Sequence, residues 1–410
     1  MNGARILHRV DHLAAISEDA PRLTRTYLTD AHRQANELVA AWMREVGMAV
    51  RTDAVGNVVG RCEGRAPGLP ALMIGSHLDT VRDAGKYDGM LGVVVGIEAV
   101  AALRAAGERK DFALEVIGFA NEEGARFGVT LTGSRAIAGT FDSAQLASRD
   151  AESVTMADAM RDFGLDPTKI GAAARRRDEL LAYVEVHIEQ GPVLEAHDLP
   201  LGVVTAISGA TRLMVELKGL AGHAGTVPMT QRQDALAAAA EAILAVERHC
   251  RGTAGLVGTV GRIEVLPGAI NVIPGSACFA IDIRAEQDAD RAAAVDRVLD
   301  ALVQIAKRRR IGADVKRLHE APSCRCAPSL IAALERAIEA GGRKSMRLPS
   351  GAGHDAMAVA AIADVAMLFV RCKAGISHNP AESITPTDAA LAAETLLRFI
   401  RAFAPAARGA

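Results

Sequence analysis

The sequence predicts an α/β fold in two parts: a large domain with a central sheet flanked by helices, and a smaller α+β domain inserted into it. Three observations lead there. Short apolar runs such as Ala71-Leu72-Met73-Ile74, closed by Gly75, alternate with segments of helical period. From about Thr211 the order becomes βαββαβ, the ferredoxin-like split βαβ unit. After Pro322 the strand–helix alternation resumes. The expected domains are 1–210 with 323–410, and the insert 211–322.

Taken in order, helical spacing of apolar residues predicts helices over 2–18 and 32–47, the second ended by Gly47. Residues 49–52 and 57–61 read as a hairpin around Asp53-Ala54-Val55-Gly56. A buried strand over 72–75 leads to a Val- and Ala-rich helix over 90–106, stopped by Gly107. The next buried strand covers 113–120. Residues 140–180 are polar and weakly periodic, which predicts helical excursions at the surface. Strands follow over 181–188 and 201–207.

Within the insert the reading is strand 212–218, helix 231–250, strands 256–266 and 276–284, helix 287–310 and strand 313–320. Its edge strand or helices offer a surface for pairing with a second copy of the chain. The return to the larger domain gives helix 328–340, strand 344–348, a Gly-rich turn at 350–353, helix 354–361, strand 365–370 and helix 386–403. The Ala/Pro-rich tail is expected to be loose.

Composition narrows the function classes. The chain has 410 residues, half of them hydrophobic, which suffices for two cores. With a net charge of -2 and both signs interspersed, it carries no electrostatic footprint for nucleic acid or for an anionic membrane. Arg175-Arg176-Arg177 and Lys307-Arg308-Arg309-Arg310 are short basic runs that suit solvated helix ends. The six cysteines form neither a disulfide framework nor paired CxxC clips, so a reducing cytoplasm is the expected compartment. The start of the chain reads as an amphipathic helix rather than a signal peptide, and no stretch reaches the ~20 apolar residues that span a bilayer.

One set of residues carries chemistry. His77 and Asp79 alternate just past the buried strand at 72–75, so both can point the same way. Asp88 stands where the helix at 90 begins. Glu122 and Glu123 follow the strand at 113–120, His187 ends the strand at 181–188, and His378 lies in the loop after 365–370. In an α/β sheet, ligands bind beyond the carboxyl ends of the strands, which is where these residues fall. Hydrolysis of an unactivated amide or ureide needs a strong nucleophile at neutral pH. Two divalent ions about 3.5–4 Å apart supply one by acidifying a shared water. Such a pair needs a bridging carboxylate, for which Asp88 is the candidate. His77 and His187 complete one site, Glu123 and His378 the other. Glu122 is the candidate general base, and Asp79 the acceptor for the spare imidazole N–H of His77. Taken singly, each has an ordinary structural reading: a satisfied histidine, a solvated glutamate pair, a turn residue before Asn-Pro. Their joint placement at the strand ends favours the metal reading.

The ordered motifs His77-x-Asp79-Thr80, Asp88-Gly89, Asn121-Glu122-Glu123-Gly124, His187-Ile188-Glu189-Gln190-Gly191, Gly222-His223-Ala224-Gly225 and Ser377-His378-Asn379-Pro380 resemble the M20-type metallohydrolases. Within them, they resemble the amidase/hydantoinase/carbamoylase branch, over nearly the whole chain. His187 is informative, because many relatives outside this branch carry an aspartate there. The resemblance implies a Zn-peptidase-like catalytic domain with a mixed central sheet, an inserted lid and dimerisation domain, and the metal set above. It also implies substrate residues. Gln190 faces a ureido group, while Arg284, assisted by Arg212, grips the substrate carboxylate. His223 reaches into the partner's active site to polarise the scissile carbonyl, with Asn271 beside it. Gly353 and His354 lie on a loop that meets the substrate through its backbone, where His354 is open between a binding and a purely structural role.

The expected function is a binuclear amidohydrolase that cleaves the N-carbamoyl or ureido C–N bond of a small carboxylic acid and releases ammonia. N-carbamoyl-L-amino acids come first and allantoate second; the motifs do not separate them. Zinc leads among the metals, with manganese, cobalt and nickel compatible with the same ligands. The expected assembly is a homodimer through the insert, with closure of the insert over the metals completing the site. Two rivals are weaker. A peptidase or N-acyl deacylase does not account for His187-Ile188-Glu189-Gln190 or for Asn271 with Arg284. A catalytically silent binding protein does not account for an intact Glu122 beside all five ligands.

Overall fold

The computed structural model describes residues 1–405, so the expected loose tail lies, from residue 406 on, outside the described residues. The chain divides into two compact units. One holds Met1–Thr205, Cys326–Leu348 and the chain from Gly353; the other holds Ala206–Arg325 and Pro349–Ala352. The second unit thus starts before residue 211 and ends after 322, for a reason in the backbone. Ala206 and Ile207 ladder with Arg325 and Cys324, and the Ser208 N–H donates to the Ser350 carbonyl.

The strands that organise the chain are β1 (Ala49–Thr52), β2 (Val58–Cys62), β3 (Ala71–His77), β4 (Ala113–Phe119), β5 (Leu180–Ile188) and β6 (Leu201–Ile207). In the second unit follow β7 (Gly209–Lys218), β8 (Leu256–Leu266), β9 (Ser276–Ala285) and β10 (Gly312–Ala321); β11 (Val365–Val370) returns to the first.

The first unit is built on a mixed sheet of order β1-β2-β4-β3-β5-β11-β6. Its centre, β4-β3-β5-β11, is parallel, and β2 and β6 flank it antiparallel. Every residue of β3, β4 and β11 is buried. Parallel strands covered on both faces read as continuous apolar runs, which is the pattern in the sequence. The helix Met90–Ala105, apolar on nearly all sides, packs on β3, β4 and β5, with Gly3–Ala14 and Pro386–Ala402 against it. Glu185 and His187 meet a short helix, Ala356–Val359, and the His354 before it. This helix replaces the longer one expected over 354–361, and the strand expected at 344–348 forms at Arg347–Ser350.

Residues 140–180 are helical, as their sequence suggests, but they do more than cover the surface. Met156, Ala159, Met160, Phe163, Ile170 and Ala173 bury against Tyr27, Val55, Phe127 and Ala136 in a second small core. Its apolar residues are spread over short helical turns, so no single helical period reveals them.

The second unit is a four-stranded antiparallel sheet of order β10-β7-β9-β8, with helices Ala235–Arg251 and Asp288–Arg309 packed against it. Strands β7 and β9 alternate buried and less buried residues, the mark of a sheet covered on one face. Leu213, Val215, Leu217, Phe279, Ile281 and Ile283 form its core with Val298 and Leu302 of the second helix.

One buried cation shapes the N-terminal part of the first unit. The guanidinium of Arg25, fully buried, donates from Nε to the Leu78 carbonyl at 2.8 Å and from Nη1 to those of Leu13 and Ile16 at 2.7 and 2.9 Å. The first helix stops at Ala14, short of the expected residue 18, and there the Leu13 carbonyl accepts the Ile16 N–H and the Arg25 guanidinium. Burial lowers the Arg25 pKa to about 10, so it stays charged at neutral pH. Arg25→Met should leave three main-chain carbonyls without this donor and cost about 3 kcal/mol or more of unfolding free energy. A denaturant titration checks this, and a loss under about 1 kcal/mol would show that the clamp on Leu78 is dispensable.

Candidate active site

The parallel strands deliver the chemistry to one edge. β3 ends at His77, Glu122 and Glu123 follow β4, His187 is the penultimate residue of β5, and His378 lies in the loop after β11. Asn121 turns the chain after β4 with φ of 57°, a conformation asparagine adopts more readily than most residues. Asp88 comes from the loop before helix Met90–Ala105. There Gly89 has φ of 74°, and a Cβ on it would lie 2.5 Å from the His77 ring. The site therefore requires glycine at 89 on two counts.

The predicted metal set converges. Asp88 Oδ1 lies 3.3 Å from His77 Nε2 and 3.0 Å from His187 Nε2, while Oδ2 lies 3.3 Å from His378 Nε2. His378 Nε2 is also 3.5 Å from Glu123 Oε1. Two groups of candidate ligand atoms share Asp88: one with His77 and His187, one with Glu123 and His378, each within 4.8 Å. Glu122 joins His77 and Glu123 in a third such group.

The proton inventory tests whether these residues fit cations. His187 Nδ1 faces the Ile188 carbonyl at 2.9 Å and His77 Nδ1 faces the Asp79 carbonyl at 2.9 Å, so each ring carries its hydrogen on Nδ1. In the neutral form of each ring, the Nε2 lone pair then aims at Asp88, itself an acceptor. His187 Nε2 is buried and makes no hydrogen bond. Lone pairs facing lone pairs in a buried site are what a divalent cation satisfies, and imidazole with carboxylate is a transition-metal donor set. The donor set fits.

Burial, reinforced by the carboxylates of Glu123, Asp355 and Asp79, pushes the Glu122 carboxyl well above the usual range. Burial and then Asp88 push Glu123 up to about 7. With no cation bound, Asp88 raises His77 and His187 against the lowering effect of burial, and raises His378 too; as imidazolium donors the three hold Asp88 well below the ordinary carboxylate range, and a bound cation would take the place of their Nε2 protons. The edge is thus rich in carboxylates whose charge seeks a counter-ion.

Several expectations need correction. Asp79 does not take the His77 N–H with its carboxylate, which lies 3.9 Å away. Its main-chain carbonyl does that, and the carboxylate instead accepts the N–H groups of Glu122 at 2.9 Å and Glu123 at 3.1 Å. An alternating pair off a strand end leaves the carboxylate free to reach the neighbouring strand's turn. Gln190 donates from Nε2 to Asp88 Oδ2 at 2.8 Å and to Ser377 Oγ at 3.2 Å, so its amide stands against the central carboxylate. His354 is buried, its ring 4.5 Å from that of His187 and its pKa held well down by burial. It packs a neutral ring behind His187, while Gly353 beside it is exposed.

The second unit holds the other predicted residues. Arg284 grips Asp282 through Nε at 2.9 Å and Nη2 at 3.1 Å and donates from Nη1 to the Gly351 carbonyl at 2.6 Å. Arg212 Nε reaches the same Asp282 at 2.9 Å. His223 pairs with Val272 beside Asn271, and its Nδ1 accepts the Gly225 N–H at 3.0 Å. That bond leaves the hydrogen on Nε2, which makes the exposed tip of the ring a donor.

Sequence reasoning missed the groups behind the ligands. Glu185, fully buried, accepts from Ser76, Tyr183 and the Ala356 N–H. Glu382 accepts the N–H groups of Tyr87 and Asp88, and burial followed by Asp88 raises its pKa to about 7. The available signal was a charged residue at an in-facing strand position, Glu185, and a glutamate in the same loop as His378.

Residues 73–402 match the model of peptidase family M20/M25/M40. An N-carbamoyl-L-amino acid amidohydrolase of Geobacillus stearothermophilus is 42% identical over 402 residues, covering 97% of each chain. An allantoate deiminase of Arabidopsis thaliana is 39% identical over 423 residues, covering 96% of this chain and 81% of that one. The crystal structure of an amidase of the hydantoinase/carbamoylase family from Burkholderia multivorans superposes with a TM-score of 0.91 at 32% identity over 97% of each chain. Among the described residues, no helix is long and apolar enough to cross a membrane. The chain belongs to peptidase family M20/M25/M40, in its amidase, hydantoinase and carbamoylase branch, and is a hydrolase of carbon–nitrogen bonds other than peptide bonds.

Proposed function

We propose that the chain is a binuclear metal-dependent amidohydrolase that cleaves the N-carbamoyl C–N bond of an N-carbamoyl-L-amino acid and releases ammonia. The observation that carries this reading is Asp88, shared by two ligand groups, with the Nε2 lone pairs of His77 and His187 aimed at it. His77, Asp88 and His187 would hold one ion, and Asp88, Glu123 and His378 the other. Bound there, the ions supply Lewis acidity at the scissile carbonyl and a water acidified towards ~7. Zinc suits the imidazoles and carboxylates, as do manganese, cobalt and nickel.

The remaining chemistry is the chain's own. Glu122 takes the proton of the attacking water and returns it to the leaving nitrogen, a role worth about 10²–10⁴ in rate. Asp79 keeps Glu122 and Glu123 in register by holding both main-chain N–H groups. His223 offers its Nε2–H to the carbonyl oxygen as charge develops, with Asn271 beside it. Arg284, engaged by Asp282 through Nε and Nη2 and by the Gly351 carbonyl through Nη1, presents its one remaining hydrogen on each Nη to the substrate carboxylate, and Gln190 turns to the ureido group. The inserted unit acts as the lid and as the dimerisation surface, so that closure completes the site.

Allantoate is the alternative substrate, favoured by the allantoate deiminases at about the same identity as the carbamoyl enzymes. Both substrates present a ureido group and a carboxylate to the same residues.

Ammonia release should be measured against allantoate, N-carbamoyl-L-amino acids, N-carbamoyl-β-alanine, dipeptides and N-acyl amino acids, with amine release followed for the last two. Turnover is expected with N-carbamoyl-L-amino acids and should fall by about 10²–10⁴ in Glu122→Gln. Cleavage of dipeptides or N-acyl amino acids alone would sink the ureido reading. A chelator should abolish turnover and lower the melting temperature, both restored by added divalent metal. Asp79→Asn can accept only one of the two N–H groups through its single carbonyl oxygen. It should lower kcat by at least tenfold with KM changed little; an unchanged kcat would remove Asp79 from the mechanism.

A further inference from the structure

Behind Asp88 lies a second carboxylate that the proposed reaction does not use. Glu382 is 2% exposed. Its Oε1 accepts the N–H of Tyr87 at 2.6 Å and that of Asp88 at 3.1 Å, and its Oε2 lies 3.0 Å from Ser377 Oγ. Ser377 Oγ lies 2.9 Å from Asp88 Oδ2 as well. Among the described residues, no Lys or Arg pairs with Glu382; its partners are these two N–H groups and one hydroxyl. Room for it is made by Gly85, where a Cβ would meet its carboxyl carbon at 2.3 Å.

The need for such a group follows from His378. Its side chain is 50% exposed, on a loop with φ of 54° at the histidine itself, whereas those of His77 and His187 are nearly fully buried. An exposed ligand on a loop loses more conformational freedom on binding than a packed one. Glu382 is in the same loop, its own N–H bonded to the Asn379 carbonyl. It therefore ties the backbone that carries Asp88 to the turn that carries His378. In its ionised form a buried carboxylate there, with no Lys or Arg beside it, also favours a cation beside Asp88.

We propose that Glu382, acting with Ser377, is a positioning residue for the half of the centre formed by Asp88, Glu123 and His378, setting its affinity for a divalent ion and leaving the half with His77 and His187 largely alone. This rests on the reading of Asp88 and His378 as metal ligands.

The test is equilibrium dialysis of the chelator-treated full chain against cobalt(II), for wild type, Glu382→Gln and Ser377→Ala, with the cobalt visible spectrum recorded at each loading. Wild type should take up two ions. In Glu382→Gln, which keeps the size and removes the charge, the weaker ion should bind at least tenfold more weakly. The tighter ion should stay within about threefold, and the spectrum of the second cobalt should change. In Ser377→Ala the weaker ion should lose at least threefold. With excess metal, kcat should recover and KM stay near the wild-type value. Equal affinities for both ions in wild type and Glu382→Gln would overturn the proposal. If Glu382→Gln does not fold, Ser377→Ala decides, and an unchanged second affinity there overturns it. A wild type that binds fewer than two ions overturns the inference with the reading beneath it. Two bound ions without ureido turnover leave the inference standing and sink only the substrate.

Discussion

The structure turns on an electrostatic constraint: a cluster of carboxylates held out of water at one sheet edge, with imidazole lone pairs turned towards its centre. Asp88 stands between His77, His187 and His378, while Glu122, Glu123, Asp79, Glu185 and Glu382 are buried or nearly so around it. Like charges gathered in low dielectric repel, and each carries a desolvation penalty. Such a cluster is sustained by protons or by metal cations. The raised carboxyls of Glu122, Glu123 and Glu382 record the first answer, and the aimed Nε2 atoms point to the second.

Much of the first unit serves to hold that cluster still. Four parallel strands bring His77, the glutamate pair, His187 and the His378 loop to one edge, since parallel strands place their carboxyl ends together. Arg25 pins the Leu78 carbonyl between His77 and Asp79, and Asp79 pins the turn after the neighbouring strand. Gly89 lets the His77 ring lie against the backbone, and His354 backs His187 with a neutral ring. Each contact removes a rotamer or a loop conformation from a candidate ligand. Preorganisation of this kind lowers the entropic cost of assembling the site.

The second unit handles charge of the opposite sign. Asp282 holds Arg284 and Arg212 together across two neighbouring strands, so the two guanidinium groups coexist without full mutual repulsion. The short ladder of His223 with Val272 orders a tip that would otherwise be a free loop, and the Gly225 N–H selects the imidazole tautomer.

The sequence by itself determined the two-part α/β architecture, the βαββαβ order of the insert and the residues that converge on Asp88. Those features are written in local periodicity and in motifs whose members sit at strand ends, so chain order alone locates them. It left the choice between ureido substrates undecided, because both substrates ask for the same groups. Only the tertiary structure decided what each polar atom bonds to. The Asp79 carboxylate went to the glutamate turn rather than to His77, residues 156–173 closed a second core, and Gln190 came to rest on Asp88. Glu382 and Glu185 emerged behind the ligands for the same reason. Hydrogen-bond partners are set by distances between segments far apart in the chain, and no periodicity or spacing along the sequence encodes them.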